Sequence, residues 1–158
     1  MKTKLIILLT ALCAISTSCT TSSPFMVSRK KTVKTTAYTH NERDHVRYGR
    51  KTAIGTTLRT GVVATDWSVF PLGTKLRIDG KPYVVEDYGS ALVGKSTPVV
   101  DIYKTSFSSM NKHGTRMYDI EVISWGCFDE SKEILSKRLK WKHCREMYYN
   151  IDRRDNGV

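Results

Sequence analysis

Between residues 33 and 124 the chain is cut into short β-type segments by Gly, Pro and Asp-Gly signals, and this spacing limits the fold more than any other feature. Strands are predicted near 33–39, 52–58 with 61–65, 74–78, 82–86, 98–103 and 118–124. The firmest is the hairpin Lys75-Leu-Arg-Ile-Asp79-Gly80-Lys-Pro-Tyr-Val-Val85, because Asp-Gly suits a two-residue type I′ turn. Pro71-Leu72-Gly73 forms a second turn that starts the strand at Thr74. His40-Asn-Glu-Arg-Asp-His45 reads as a charged loop joining the first two strands. After Trp125-Gly126 the pattern becomes helical. Asp129 is placed to cap the start, and Lys142, His143 and Arg145 lie towards a C-terminal end, as the helix dipole favours. The apolar stripe Ile134, Leu135, Leu139, Met147, Tyr148 is irregular around 137–141, which predicts two short helices rather than one. They form a C-terminal helical appendage over 127–150, followed by a frayed tail at 151–158.

Three aspartates end or follow predicted strands: Asp66, Asp87 and Asp101. Along Val99-Val-Asp101-Ile-Tyr103, alternation puts Val100 and Ile102 on the core face and Val99, Asp101 and Tyr103 on the other. An aspartate between an apolar and an aromatic neighbour is partly desolvated, which favours its protonated form and suits general-acid work. A nearby Asp87 would add like-charge repulsion. Each aspartate can equally be a strand-end residue bonded to local backbone.

The N-terminus points to export. Lys2 and Lys4 precede an apolar run from Leu5 to Ile15, which is shorter than the roughly 20 residues a membrane-spanning helix needs. Residues 1–18 therefore read as a signal peptide. Cys19 follows Ser16-Thr17-Ser18, a loose lipobox, so it is the expected site of lipidation at the head of a tether over 19–32. An ordinary secreted chain cut near Ala14-Ile15-Ser16 is the alternative. The expected location is the cell envelope, with the chain anchored to a membrane and facing the periplasm or wall.

Net charge is +11, and loss of Lys2 and Lys4 with the leader brings it to +9. Such a chain suits anionic envelope polymers or membrane surfaces, or simply carries a solvated basic face. Export and the lack of a base-reading helix, zinc finger or aromatic nucleic-acid signature argue against nucleic acid as partner. With the leader and Cys19 set aside, Cys127 and Cys144 remain. On one straight helix they would lie more than ~20 Å apart, so a disulfide needs a break between them; two small buried thiols are the alternative. No His-Glu-x-x-His or paired Cys-x-x-Cys spacing is present, so neither metal nor other cofactor is expected. At this length one domain can bury its own core, and a monomer is expected.

Thr35-Thr-Ala-Tyr38-Thr39, Gly55-Thr56, Ala64-Thr-Asp66, Phe70-Pro-Leu-Gly-Thr74, Glu86-Asp87-Tyr-Gly-Ser-Ala-Leu-Val-Gly94, Val100-Asp101-Ile-Tyr103 and Val122-Ile-Ser-Trp125 occur in that order. This ordered set, over about residues 35–125, resembles the 3D (Asp-Asp-Asp) domain. It is similar to the catalytic domain of membrane-bound lytic transglycosylases and to the small stationary-phase muralysins. The resemblance implies a six-stranded double-psi β-barrel over 33–126, in keeping with the strand count. It also implies that Asp66, Asp87 and Asp101 are the name-giving aspartates, with Asp101 the catalytic acid. Tyr38, Tyr88, Gly89, Ser90 and Tyr103 are then expected along the substrate groove. Two departures fall on that loop: Tyr88-Gly89-Ser90 stands where the family usually has Thr-Gly-Gly, and the stretch from Asp87 to Asp101 is longer than usual.

The activity so implied is non-hydrolytic cleavage of the β-1,4 bond between N-acetylmuramic acid and N-acetylglucosamine in peptidoglycan. An expansin-like barrel that binds glycan without cleaving it, and an ordinary glycoside hydrolase, are the rival readings.

Overall fold

A computed structural model describes residues 30–43 and 45–155 of the chain. The leader, Cys19 and most of the tether lie outside the described residues, as do 156–158. Six strands close into one barrel: β1 (Lys30–Tyr38), β2 (Val62–Thr65), β3 (Lys75–Ile78), β4 (Lys81–Asp87), β5 (Val99–Tyr103) and β6 (Arg116–Ser124). Their order around it is β1-β5-β2-β4-β3-β6. The β1–β5 and β2–β4 pairings are parallel and the other four antiparallel. The mainly-β barrel expected from the sequence is the observed fold. The β3–β4 hairpin turns on Asp79-Gly80, both at positive φ as a type I′ turn requires.

Several boundaries differ from expectation. β1 begins at Lys30, inside the predicted tether, because Lys30, Lys31 and Thr32 pair with Glu121, Ile120 and Asp119 of β6. The Thr32 hydroxyl also donates to Asp119 Oδ1 at 2.6 Å. Residues 52–58 are a tight loop rather than a strand. Thr52 and Thr56 bond each other through backbone and hydroxyls, and Gly55 sits at φ 82. One isolated antiparallel bridge, Lys51 to Thr57, closes this loop on itself. A short helix, α1 (Phe107–His113), was not foreseen. It is capped by Ser106, whose side chain accepts from Ser109 N, and ends at Gly114.

Barrel and helices share one core. Val33, Val63, Leu76, Ile78, Val85, Val100, Ile102 and Ile120 fill the barrel, and Trp67 and Phe70 join them to Leu135, Met147 and Ile151. Those last three come from α2 (Phe128–Ser136) and α3 (Lys142–Asp155). Cys127, not Asp129, caps α2: its Sγ accepts from Glu130 N at 3.4 Å, and Asp129 falls in the first turn. The predicted frayed tail at 151–155 is the last part of α3. Ile151 is fully buried there, and Arg154 donates to the Ser68 carbonyl at 2.8 Å and lies 4.2 Å over the Phe128 ring. Cys127 is exposed and Cys144 buried, both as thiols.

A second, smaller cluster lies on the opposite face of β5: Tyr38, Leu58, Val62, Ala64, Leu92, Val99 and Tyr103. Alternation in β5 is therefore as predicted, with Val100 and Ile102 in the main core and Val99 and Tyr103 in this one. Asp101 emerges between them.

Candidate active site

Register places the site. Thr36 of β1 pairs with Asp101 of β5, Asp101 pairs with Ala64 of β2, and Ala64 pairs with Asp87 of β4. The row Thr36–Asp101–Ala64–Asp87 thus crosses four strands. At about 4.8 Å per strand, the two aspartate backbones lie about 10 Å apart, with only a methyl group between them. Tyr38, two residues beyond Thr36 and on the same face, spans that gap, and its hydroxyl donates to Asp87 Oδ2 at 3.0 Å.

Asp87 is buried and fully engaged. Oδ1 accepts from Ala53 N and Tyr88 N, both at 2.9 Å, and Oδ2 accepts from Tyr38. Burial nonetheless pushes its carboxyl above the ordinary value, against the pull of those donors. Burial beside that carboxylate also drives the Tyr38 phenol upward, so it stays a donor.

Asp101 is half-buried, and its Oδ1 accepts from the Thr36 hydroxyl at 2.6 Å. Burial raises its pKa to about 6; the Thr36 bond opposes this, and the charges of Glu42 and Asp87 add to it. Of the two charges Glu42 repels more strongly than Asp87, although the sequence pointed to Asp87 as the repelling charge. Glu42 is held in the loop after β1, outside the groove lining, by the bond from Thr39 N to its Oε2, 2.9 Å. His40 and His45 of the same loop reach the two tyrosines of the smaller cluster. His40 Nδ1 lies 2.8 Å from the Tyr103 hydroxyl, and the His45 ring lies 5.6 Å from that of Tyr38.

Asp101 opens into a groove of about 480 Å³, a volume suited to sugar-sized ligands. Thr36, Lys34 and Val99 form one side, Ala91 and Leu92 a second, and Lys95 to Thr97 a third. None of the five residues predicted to bind substrate lines it. Tyr38 and Tyr103 are buried beneath, holding Asp87 and His40. Tyr88 turns towards the helices, edge-on to Trp67 at 4.9 Å, and accepts from Arg138 at 3.0 Å. Gly89 leads into the 3-10 turn Ser90–Leu92, and Ser90 faces away from Asp101 into a neighbouring groove. The sequence did hold a signal for Thr36: in Thr35-Thr-Ala-Tyr38, alternation sets it on the face of Tyr38. The same alternation sets Lys34 there, while Lys95 and Glu42 carried no signal. Among the described residues, no three His, Cys, Asp or Glu side chains gather as metal ligands would.

Asp66 stands apart from this chemistry. Its Oδ1 accepts from the backbone and hydroxyl of Ser68, and its Oδ2 from Gly94 N at 3.1 Å. It clips the turn after β2 to the end of the loop that walls the groove. Asp66→Ala leaves the buried Ser68 donors without this acceptor and releases Gly94, at a cost of about 1–3 kcal/mol. Urea unfolding measures this, and a loss under 0.5 kcal/mol would rule out the clip.

In comparisons with known proteins, no protein-family model matches the chain, and no curated protein matches it.

Proposed function

We propose that this chain is a lytic transglycosylase that cleaves peptidoglycan glycan strands, built on a double-psi barrel of the 3D type. The observation that carries the reading is that Asp101 is the one carboxyl group among the residues lining the groove. An ordinary glycosidase needs two facing carboxyl groups, as acid and as base or nucleophile. One suffices when the substrate supplies the nucleophile. Protonated Asp101 gives its proton to the glycosidic oxygen as the bond from that oxygen to the muramyl C1 breaks. The Asp101 carboxylate then takes the proton of the muramyl C6 hydroxyl, whose oxygen bonds to C1 and closes a 1,6-anhydro ring. The acid ends the cycle protonated again. Thr36 fixes the carboxyl, and Asp87, locked by three donors, shapes the row behind it. Export and attachment through Cys19 belong to the same reading.

Product analysis on purified sacculi tests it. Anhydro-muropeptides are the expected result. New reducing ends would instead mean hydrolysis, and retained binding without cleavage would mean a glycan-binding module.

The acid must start protonated, so activity should fall as pH rises through about 6. Removing a repelling charge lowers the pKa and moves that limb to lower pH. Glu42→Gln should shift it by roughly half a unit to one unit, and Asp87→Asn by less. A larger effect from Asp87→Asn, in a variant shown to be folded, would reverse the ranking of the two charges.

A further inference from the structure

A second groove, about 880 Å³, lies between the 3-10 turn Ser90–Leu92 and helix α3. The two grooves share that turn as a ridge: Ala91 and Leu92 face the acid, while Ser90, Val93 and Gly94 face the helix. The ridge is held from below by the bond from Gly94 N to Asp66. On the far side α3 contributes Lys142, Arg145, Glu146, Tyr149 and Arg153. These positions recur at helical spacing on one exposed stripe, while Cys144, Met147 and Ile151 on the other side are buried.

We propose that this groove binds the peptide stems carried by the glycan strand, an inference that rests on the reading of the chain as a peptidoglycan-cleaving enzyme. Three observations select that occupant. The first is position: one 3-10 turn separates the groove from the acid. A short extended peptide covers about 3.3–3.6 Å per residue, so three or four residues cross such a ridge from a muramyl unit seated beside Asp101. The second is charge. Lys142, Arg145 and Arg153 oppose one acid, Glu146, whose contact with Lys142 is a long 3.7 Å exposed pair and easily exchanged. Arg145 is steadied by the Leu139 and Lys140 carbonyls, which hold its guanidinium without neutralising it. The third is mixture. Carboxylates of a stem find Arg153 and Lys142, its amino groups find Glu146, and its amides find Tyr149 and Asn150. A phosphate polymer offers Glu146 no amino group, and a flat anionic membrane would not enter a concave groove.

Binding of the full chain to two preparations of the same glycan strands, with stems and stripped of them, tests the proposal. Anionic phosphatidylglycerol vesicles serve as a third probe. At low salt, wild type should hold stem-bearing strands about five- to tenfold more tightly than bare ones, a preference that shrinks at high salt. Lys142→Glu with Arg153→Glu should abolish the preference while leaving affinity for bare strands within about twofold. Lys75→Glu with Lys112→Glu, an equal charge change elsewhere on the exposed surface, should keep it. A preference that survives Lys142→Glu with Arg153→Glu, or is absent from wild type, overturns the assignment. So does a variant that loses only vesicle binding, which would give the surface to the membrane. If bare strands are bound and cleaved but stems add nothing, only this inference fails. If neither preparation is bound or cleaved, the transglycosylase reading fails and the inference falls with it.

Discussion

Asp101→Asn should leave a folded chain whose lysis of purified sacculi falls by about a thousandfold or more, since general acid catalysis supplies 10²–10⁴-fold and no other carboxyl lines the groove. The same variant should be more stable than wild type above pH 6. The carboxyl titrates near 6 when folded and near 3.9 when unfolded. Between those values the folded chain binds the extra proton, so wild-type stability falls as pH rises. Above 6 the whole penalty of charging a half-buried group is present. Asparagine cannot charge and still accepts from Thr36, so the gain should be about 1–3 kcal/mol at pH 7–8 and vanish below pH 4. Urea unfolding at several pH values reads this directly. Equal stability of variant and wild type from pH 4 to 8 would mean that Asp101 is not desolvated, and retained lysis would mean that it is not the acid.

Gly126→Ala should be the most damaging glycine-to-alanine change among the described residues. A Cβ there would lie 1.9 Å from the Leu72 carbonyl oxygen and 2.5 Å from Thr74 N, both backbone atoms that no rotamer can move aside. The strand leaving the barrel is pinned against turn 71–74 at this point. Gly126 N donates to the Thr74 hydroxyl, Cys127 N to the Leu72 carbonyl, and Leu72 N to the Ser131 hydroxyl in α2. Relieving the clash breaks these bonds and separates the helices from the barrel, a loss of about 4–5 kcal/mol or more. Gly80→Ala is the control. It has open space around it but sits at φ 72, so it should cost only about 1 kcal/mol. Melting temperatures that rank the two alike would mean that the crossing at Gly126 is looser than described.

Patterns of period two and the Asp79-Gly80 turn carried the barrel, because strand faces and tight turns are local properties. The same alternation placed Asp101 between two cores. What stayed hidden depends on contacts made at a distance. Residues 52–58 had strand-like composition, yet Thr52 and Thr56 bond each other instead of a neighbouring strand. Tyr88 read as a groove residue until α3 packed behind it. The sequence pointed to Asp87 as a neighbour of Asp101 and left Asp66 able equally to hold a turn, and the partners of Asp66 make it a clip. Glu42 sits in a charged loop where nothing local distinguishes it from Arg43. The last three residues of the predicted tether departed for a similar reason: Lys30 to Thr32 become strand only because β6 offers them an edge.

Closure of the barrel has a consequence for when the acid comes into being. β1 is made first, but its neighbours are β5 and β6. The Thr36–Asp101 bond joins residues 65 positions apart, and the Thr32–Asp119 bond residues 87 apart. While the chain is being synthesised, β1 has no edge to join, and Asp101 is an ordinary, water-exposed carboxylate, ionised at neutral pH. Contacts of such long sequence separation also make folding slow. Only when the last strand seals the first does the carboxyl lose enough water to hold its proton. An incompletely folded chain therefore carries every residue of the site and none of its acidity, which arrives only when the barrel closes.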